Sequence, residues 1–342
     1  MPIPRDDRVS GRAVPADAGI IPFMDKLRVA VVGVGYLGRF HAQKYAALPE
    51  CTLTAVVDTA QETGAALAAE LGTRPLRDYR ELLGRVDAVS VATPTPAHFE
   101  VARAFLESGA HVLVEKPITE TVAQARELIE VARQAGRVLQ VGHLERFNPT
   151  IVAAEPLLRA PRFIECHRLA PFRERGTDVN VVLDLMIHDL DIVQSIVGSG
   201  IAAIDAIGTP VFSDEIDIAN ARLRFENGCV ANATASRVSL KTERKLRIFQ
   251  DDAYLSLDLQ QKLLTVIRKQ ATGEGAARLP VSIEEQSFEP GDALRAEIEA
   301  FLASCRGERA VVVSGEDGMR ALQTAVSITA AVRDGHSGGL RA

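Results

Sequence analysis

Tryptophan is absent from the 342 residues and aromatic residues make up only 5%, so the hydrophobic 47% is mainly aliphatic and rich in alanine. That composition is the kind α/β enzymes use, and the length suffices for two domains, each with its own core. Cysteine is scarce: Cys51, Cys166, Cys229 and Cys305 stand far apart, with no Cys-x-x-Cys pair. Such spacing argues against a disulfide framework or a metal site and for reduced, buried thiols in a cytoplasmic protein. An excess of positive charge is also lacking, since the formal net charge is -6. A nucleic-acid partner would want a net basic face, so none is expected. No apolar run approaches the roughly 18 residues of a membrane span, so no membrane association is expected either. There is no internal repeat and no low-complexity tract. The first 25 residues lack periodicity and carry four prolines and scattered charges, without the basic start and long apolar core of a signal peptide. The expectation for residues 1–25 is a flexible arm, or a start assigned too early, with Met24 as the alternative.

What is present begins at Leu27, where short aliphatic runs alternate with helical spacing. Residues 27–32, 52–57, 88–91, 111–114 and 138–141 predict strands; 37–48, 60–71, 97–108 and 122–134 predict helices. Buried strands separated by crossover helices give a doubly wound parallel sheet, a Rossmann domain expected over residues 26–145. Its first turn is Gly33-Val34-Gly35-Tyr36-Leu37-Gly38, directly after a strand and opening a helix. There the first glycine makes the tight turn and the second admits a pyrophosphate to the backbone. The third lets helix and strand pack, so that phosphate meets the helix N-terminus. Asp58 closes the second strand, where a carboxylate accepts both ribose hydroxyls and repels a 2′-phosphate, favouring NAD over NADP. The bland alternative is a turn followed by an ordinary surface aspartate.

Two more loops end strands on the same carboxyl edge, Ala92-Thr93-Pro94-Thr95-Pro96-Ala97-His98 and Glu115-Lys116-Pro117. Expected cofactor contacts are therefore Gly33, Gly35, Tyr36, Leu37, Gly38, Asp58, Thr93, Pro94, His98, Glu115 and Lys116. A lysine after a buried strand is ordinarily a solvated group. At the nicotinamide edge it can instead have a lowered pKa and hold a reacting oxygen.

After Gly142 the texture changes. Asn148-Pro149 reads as a helix cap, and strands are predicted at 163–169, 202–211, 218–225, 230–238, 245–250, 254–259 and 263–267. Glu226-Asn227-Gly228 marks a hairpin. The expected second domain, residues 146–342, is an α/β unit with a large, open, mainly antiparallel sheet, closed by helices at 293–303 and 316–332. One sheet face would cover the first domain and the other would meet a partner subunit. Within this half, 181–197 reads as an apolar helix interrupted by Asp184, His188, Asp189 and Asp191. Asp184 and His188, four apart, would share a face with Asp191 near it, while Asp189 points away. Three readings stand: a structural Asp–His hydrogen bond, an imidazole held by a carboxylate for proton exchange with an alcohol, and a zinc or manganese site. No metal is expected, because nicotinamide chemistry needs none beside a lysine and a histidine.

The glycine turn, Glu115-Lys116-Pro117 and Asp184-x-x-x-His188 together resemble the Gfo/Idh/MocA oxidoreductase family, over nearly the whole chain after Lys26 and in matching order and spacing. The resemblance implies a Rossmann domain, a C-terminal α/β domain whose sheet makes homodimer or homotetramer contacts, and NAD. It implies that Lys116 binds the reacting hydroxyl, His188 is the general acid/base and Asp184 orients substrate and proton transfer. Asn180-Val181-Val182-Leu183 departs from the family's glycine pair before the aspartate, which places the shape of the substrate entrance in question. Further motifs are similar to the branch containing UDP-N-acetylglucosamine 3-dehydrogenases: 142–149, with His143, Arg146 and Asn148; Met186 to Asp191; and Ala235-Ser236-Arg237. Arg168, Arg173, Arg175, Arg237 and Lys241 flank the catalytic helix in sequence, and an anionic pyrophosphate would need such partners, though the same cations also suit a solvated surface. Expected substrate contacts are His143, Arg146, Asn148, Arg168, Arg173, Arg175, Asp191 and Arg237. The activity implied is NAD-dependent oxidation of a sugar hydroxyl, the 3-hydroxyl of UDP-N-acetylglucosamine or a similar nucleotide sugar. Alternatives are a dehydrogenase of free sugars, inositol or polyols, an NAD-retaining glycosidase and a non-catalytic NAD-binding regulator.

Overall fold

The structure, a computed structural model, describes residues 26–173, 179–269, 281–289 and 291–337. In the first half, valine- and alanine-rich runs too short for stable helices become strands buried on both faces. They are β1 (Leu27–Val32), β2 (Cys51–Val57), β3 (Arg74–Leu76), β4 (Ala88–Val91), β5 (His111–Glu115) and β6 (Leu139–Gly142). All pair in parallel, in the order β3-β2-β1-β4-β5-β6. Crossovers run through α1 (Tyr36–Ala47), α2 (Gln61–Leu71), α3 (His98–Glu107) and α4 (Val122–Ala135). Local signals set their ends: Thr121 and Gln124 form a reciprocal cap at the start of α4, and Gly136 stops it in the left-handed region. Strand order reverses between β1 and β4, which opens a crevice at the carboxyl ends of the strands. The short edge strand β3 carries no sequence signal; it is Arg74-Pro75-Leu76, and proline is tolerated there because an edge strand has one unpaired side.

In the second half, β7 (Phe163–Leu169), β8 (Ile201–Thr209), β9 (Ile218–Phe225), β10 (Val230–Ser236), β11 (Glu243–Phe249), β12 (Ala253–Asp258), β13 (Leu263–Lys269) and β14 (Val281–Ser287) form one sheet. Its order is β14-β13-β12-β11-β7-β10-β9-β8, antiparallel throughout except where β7 meets β10. Alternation assigns the faces: Ala219, Ala221, Leu223 and Phe225 of β9 are buried, while Asn220, Arg222 and Arg224 point outward. The 226–228 turn joins β9 to β10, with Gly228 at φ +85°. Strand β14 escaped the sequence reading because it is an edge strand with little alternation, mostly exposed.

Four further helices follow: α5 (Pro149–Ala154), α6 (Ile187–Val197), α7 (Ala293–Cys305) and α8 (Gly315–Ser337). Asn148 caps α5 as expected, its Oδ1 accepting from Thr150 N at 3.1 Å with Pro149 in the first position. Helices α6 and α8 cover the inner sheet face, where Ile187, Leu190, Ala325 and Ile328 pack on Leu223, Ala233 and Leu246. The late chain also completes the first sheet. Ile298, Phe301 and Leu302 of α7 pack with Val29, Val31 and Tyr45, and Val313 and Leu322 join Val112 and Val114. The two halves therefore share core across residue 145. All four cysteines are free, three of them buried. No helix among the described residues is long and apolar enough to cross a membrane.

Candidate active site

The turn after β1 does what its glycines require. Gly33 sits at φ +82°, and a Cβ there would lie 2.7 Å from Thr93 N. A Cβ on Gly38 would fall 1.8 Å from Gly33 O, so the start of α1 can lie against the turn only without a side chain. Nothing lies within 4 Å of the Cβ position at Gly35, and no side chain caps α1. Open space in front of uncapped first-turn N–H groups suits a pyrophosphate. Asp58, just beyond β2, accepts from Val34 N at 2.9 Å and Ala60 N at 2.8 Å, which holds its carboxylate beside the same turn. Tyr36 and Leu37 are exposed at the head of α1. These residues fit a dinucleotide.

The loops after β4 and β5 are tied by His98. Its Nδ1 lies 2.9 Å from Pro117 O and its Nε2 2.8 Å from Thr93 O, and the residue is buried. His98 therefore holds the loops rather than facing a ligand, a correction to its expected contact role. Thr93 Oγ1 is buried without a protein partner, and Pro94 precedes the short turn at Thr95–Ala97. Glu115 is likewise a support: it accepts from or shares a proton with His41 Nε2 at 2.9 Å, and its carboxylate fills the space beside Gly142. Burial would raise Glu115, but His41 and Lys116 outweigh it and keep the carboxyl below its usual range. That leaves Lys116, joined to Pro117 by a cis peptide bond, as the group of this loop that reaches across the crevice.

Lys116 Nζ donates to Asp184 O at 2.8 Å and lies 3.6 Å from Asp184 Oδ1. Burial lowers the ammonium pKa, while Asp184 and Glu115 pull partly the other way. Asp184 belongs to a π-helical turn, Val182–Met186, ahead of α6. Among the described residues no Asp184–His188 hydrogen bond forms; Asp184 pairs instead with Lys116 and is partly exposed. His188 is partly buried, its Nδ1 fully so and without a partner. Burial first, then Lys116, Arg168, His143 and Arg244, push this imidazole well below the usual histidine range. A neutral imidazole beside an ammonium is equipped to take a proton from a hydroxyl that the ammonium holds.

The residues around α6 sort differently from their expected roles. Asp189 is buried in a bidentate pair with Arg168, at 2.8 and 3.0 Å, and Arg168 also donates to Glu145 at 3.0 Å. Arg168 is thus committed inside the protein, and the Asp189 side chain is structural. Arg237 lies 3.5 Å from Asp217 and donates to Val179 O, again internally. Arg146 pairs with Asp191 at 3.5 Å, both nearly inaccessible. Asn148 spends its side chain on Thr150 N, Leu259 O and Glu145. His143 is wholly buried, its ring edge-to-face with His188 at 6.3 Å between centroids. Arg146, Asn148, Arg168, Asp191 and Arg237 are thus largely buried and engaged within the protein, and His143 is buried beside His188, rather than standing open to solvent. Lys241 pairs with Glu243 at 2.6 Å. Arg173 is exposed; Arg175 lies outside the described residues.

One cation was missed. Arg244 of β11 stands opposite Arg168 of β7, donates to Glu145 at 3.2 Å, keeps its side chain half exposed and acts on His188. Its signal was cross-strand: Glu145 in the 142–149 motif faces two arginines rather than one. Asp184, His188 and Asp191 do not bring their ligand atoms together as the metal alternative would need. Among the described residues only His41, Glu115 and Glu297 bring three such ligand atoms within 4.8 Å of one another, and His41 and Glu115 are already bonded.

The family model GFO_IDH_MocA, described as an oxidoreductase family with NAD-binding Rossmann fold, matches residues 27–143, and the model for the family's C-terminal alpha/beta domain matches 172–340. A UDP-N-acetylglucosamine 3-dehydrogenase of Acidithiobacillus ferrooxidans is 40% identical over 314 residues, covering 90% of this chain and 98% of that protein. A solved structure of that dehydrogenase covers 91% of this chain and 99% of its own, with a TM-score of 0.85. A levoglucosan dehydrogenase solved with NADH shares the fold at 19% identity, with a TM-score of 0.79 and coverage of 90% and 97%.

Proposed function

The chain belongs to the Gfo/Idh/MocA oxidoreductase family, and from that premise we propose that it oxidises the 3-hydroxyl of UDP-N-acetylglucosamine, or of a similar nucleotide sugar, to a ketone. The observation that carries the chemistry is Lys116 Nζ at 3.6 Å from the Asp184 carboxylate, with the His188 imidazole in the same field of charge. Bound NAD supplies the hydride acceptor. The remaining work falls to side chains and backbone of this chain. The Gly33–Gly38 turn and the head of α1 hold the pyrophosphate, and Asp58 holds the ribose and disfavours a 2′-phosphate.

Lys116 fixes the reacting hydroxyl and stabilises the alkoxide character that develops as its proton leaves. Asp184, partly exposed beside it, orients a neighbouring hydroxyl of the sugar and offsets the lysine's charge before substrate arrives. His188, kept neutral by burial and nearby cations, takes the hydroxyl proton as the C–H bond is lost and the C=O bond forms. The 40% relative supports the nucleotide sugar, and Arg244 and Arg173 are the accessible cations that suit its diphosphate.

We place the protein in the cytoplasm, where four free thiols stay reduced, and as a homodimer or homotetramer through the outward sheet face, where Ile207 and Ile283 are exposed. Light scattering on the purified protein tests the assembly, and a monomer at micromolar concentration would end that part of the reading. The activity is tested by NADH formation at 340 nm with NAD and UDP-N-acetylglucosamine beside free sugars and inositols, with a carbonyl trap present. A signal confined to the nucleotide sugar is expected. A signal from a free polyol alone would keep the dehydrogenase and discard the nucleotide site.

A further inference from the structure

Near His188, five buried polar atoms lack a protein hydrogen-bond partner: His188 Nδ1, both ring nitrogens of His143, Asp191 Oδ2 and Arg146 Nη1. Isolated orphans of this kind are costly, and a cluster of donors and acceptors facing one another is the setting in which a buried water makes its bonds. The spacing agrees. With the ring centroids 6.3 Å apart, nitrogens of the two histidines approach no closer than about 4 Å, beyond a direct hydrogen bond, so the shortest link between them runs through a bridging water. Asp191, ion-paired to Arg146 at 3.5 Å, closes the far end.

We propose that His143 and Asp191 are positioning and proton-relay residues for His188, linked to it by one bridging water, so that His188 receives the substrate's proton at one ring nitrogen while releasing its own from Nδ1. The relay rests on the reading of His188 given above. In the balanced step the hydroxyl proton passes to His188 Nε2 as hydride goes to NAD. The Nδ1 proton passes to the water, and a water proton passes to His143, whose new charge Asp191 compensates.

The reason for a relay lies in the charges around His188. Lys116 follows β5, Arg168 lies on β7, Arg244 lies on β11 and His143 follows β6, so the strongest charged influences on the ring are cationic or able to become so. An imidazolium held there would meet like charge from several sides at low dielectric. Passing the proton on as it is received keeps His188 neutral throughout. Asp191 is the carboxylate acting most strongly on His143, with Glu115 acting on it more weakly, and burial raises the Asp191 pKa against the pull of His143 and Arg146, which suits it to share a proton.

Two readouts test the relay without relying on one variant. In the wild-type protein without cofactor, ¹⁵N-histidine NMR should show His188 held in a single tautomer protonated at Nδ1, and His143→Gln or Asp191→Asn should turn that signal into a tautomer mixture. In single turnovers with NAD and UDP-N-acetylglucosamine, wild-type hydride transfer in mixed H₂O and D₂O should give a bowed proton inventory. Each variant should slow it about 10- to 100-fold, with the KM for NAD within about threefold. A linear inventory in the wild type, together with unchanged His188 shifts in the variants, would overturn the relay. His188→Asn, measured alongside, separates the two claims: its loss of turnover with both other variants at wild-type rates retires the relay alone, and wild-type rates in all three retire both.

Discussion

Lys116 is a cation held in a crevice by a carboxylate at 3.6 Å and a backbone oxygen at 2.8 Å, and the same contacts are what a substrate oxygen would replace. Lys116→Met keeps the length and removes the charge. Turnover should fall by about 10³-fold or more while NAD affinity, measured by fluorescence titration, changes less than about threefold. His188 gives a second expectation. Burial and its cationic neighbours depress its pKa, so the neutral, proton-accepting form persists below the ordinary histidine range near 6.5. The acid limb of the kcat profile for alcohol oxidation should therefore lie below that of an exposed histidine. At this scale the sequence singled out the lysine, aspartate and histidine, which the fold brings to one crevice, but could not tell which arginines are buried in ion pairs. Arg168 and Arg237 read as phosphate ligands because composition cannot tell a cation facing solvent from one satisfied by Asp189 or Asp217. Arg244 was overlooked because its place depends on strand register, which pairs it with Arg168.

Among the elements, the strand–turn–helix at β1 and α1 was legible in full, since each glycine answers a local steric demand. Gly38→Ala puts a methyl group where Gly33 O already lies, so NAD binding should be lost even where the variant folds, as calorimetric titration would record. Asp58→Gly leaves the turn and removes the carboxylate beside it. The ratio of NADP to NAD turnover efficiency should rise by about 10-fold or more, and an unchanged ratio would remove Asp58 from cofactor selection. The helix carrying Asp184 was legible only in part. Its apolar spacing announced a buried helix, but the π turn at Val182–Met186 depends on packing around it and left no periodic signal. The edge strands β3 and β14 were missed for a related reason: neither buries a clean alternating face.

Taken as a whole, the molecule is stitched together by late helices that return to the first sheet, and a division of the chain by sequence position could not foresee that. The clearest consequence is Glu297 of α7, which is fully buried with neither carboxylate oxygen bonded, close to His41 and Glu115. Burial, then Glu115, raises its pKa well above the carboxylate range. The folded state therefore binds this proton more tightly than the unfolded chain does. That contribution is complete below the ordinary carboxyl pKa and is lost as pH rises toward the raised value. Glu297→Gln removes the titration. It should hold the thermal midpoint near wild type at pH 5 and raise it by about 2 °C or more at pH 8; an equal midpoint difference at both pH values would contradict the buried proton.

In the reaction proposed here one carbon of a nucleotide sugar gives up hydride while its hydroxyl lies between Lys116 and His188. The most direct test is isotope transfer. The enzyme is given NAD and UDP-N-acetylglucosamine deuterated at C3, or separately at C4 and C6, and the NADH formed is examined by mass spectrometry. Deuterium in NADH from the C3-labelled sugar alone is the predicted result. Unlabelled NADH from that substrate, or label arriving from C4 or C6, would contradict the claim.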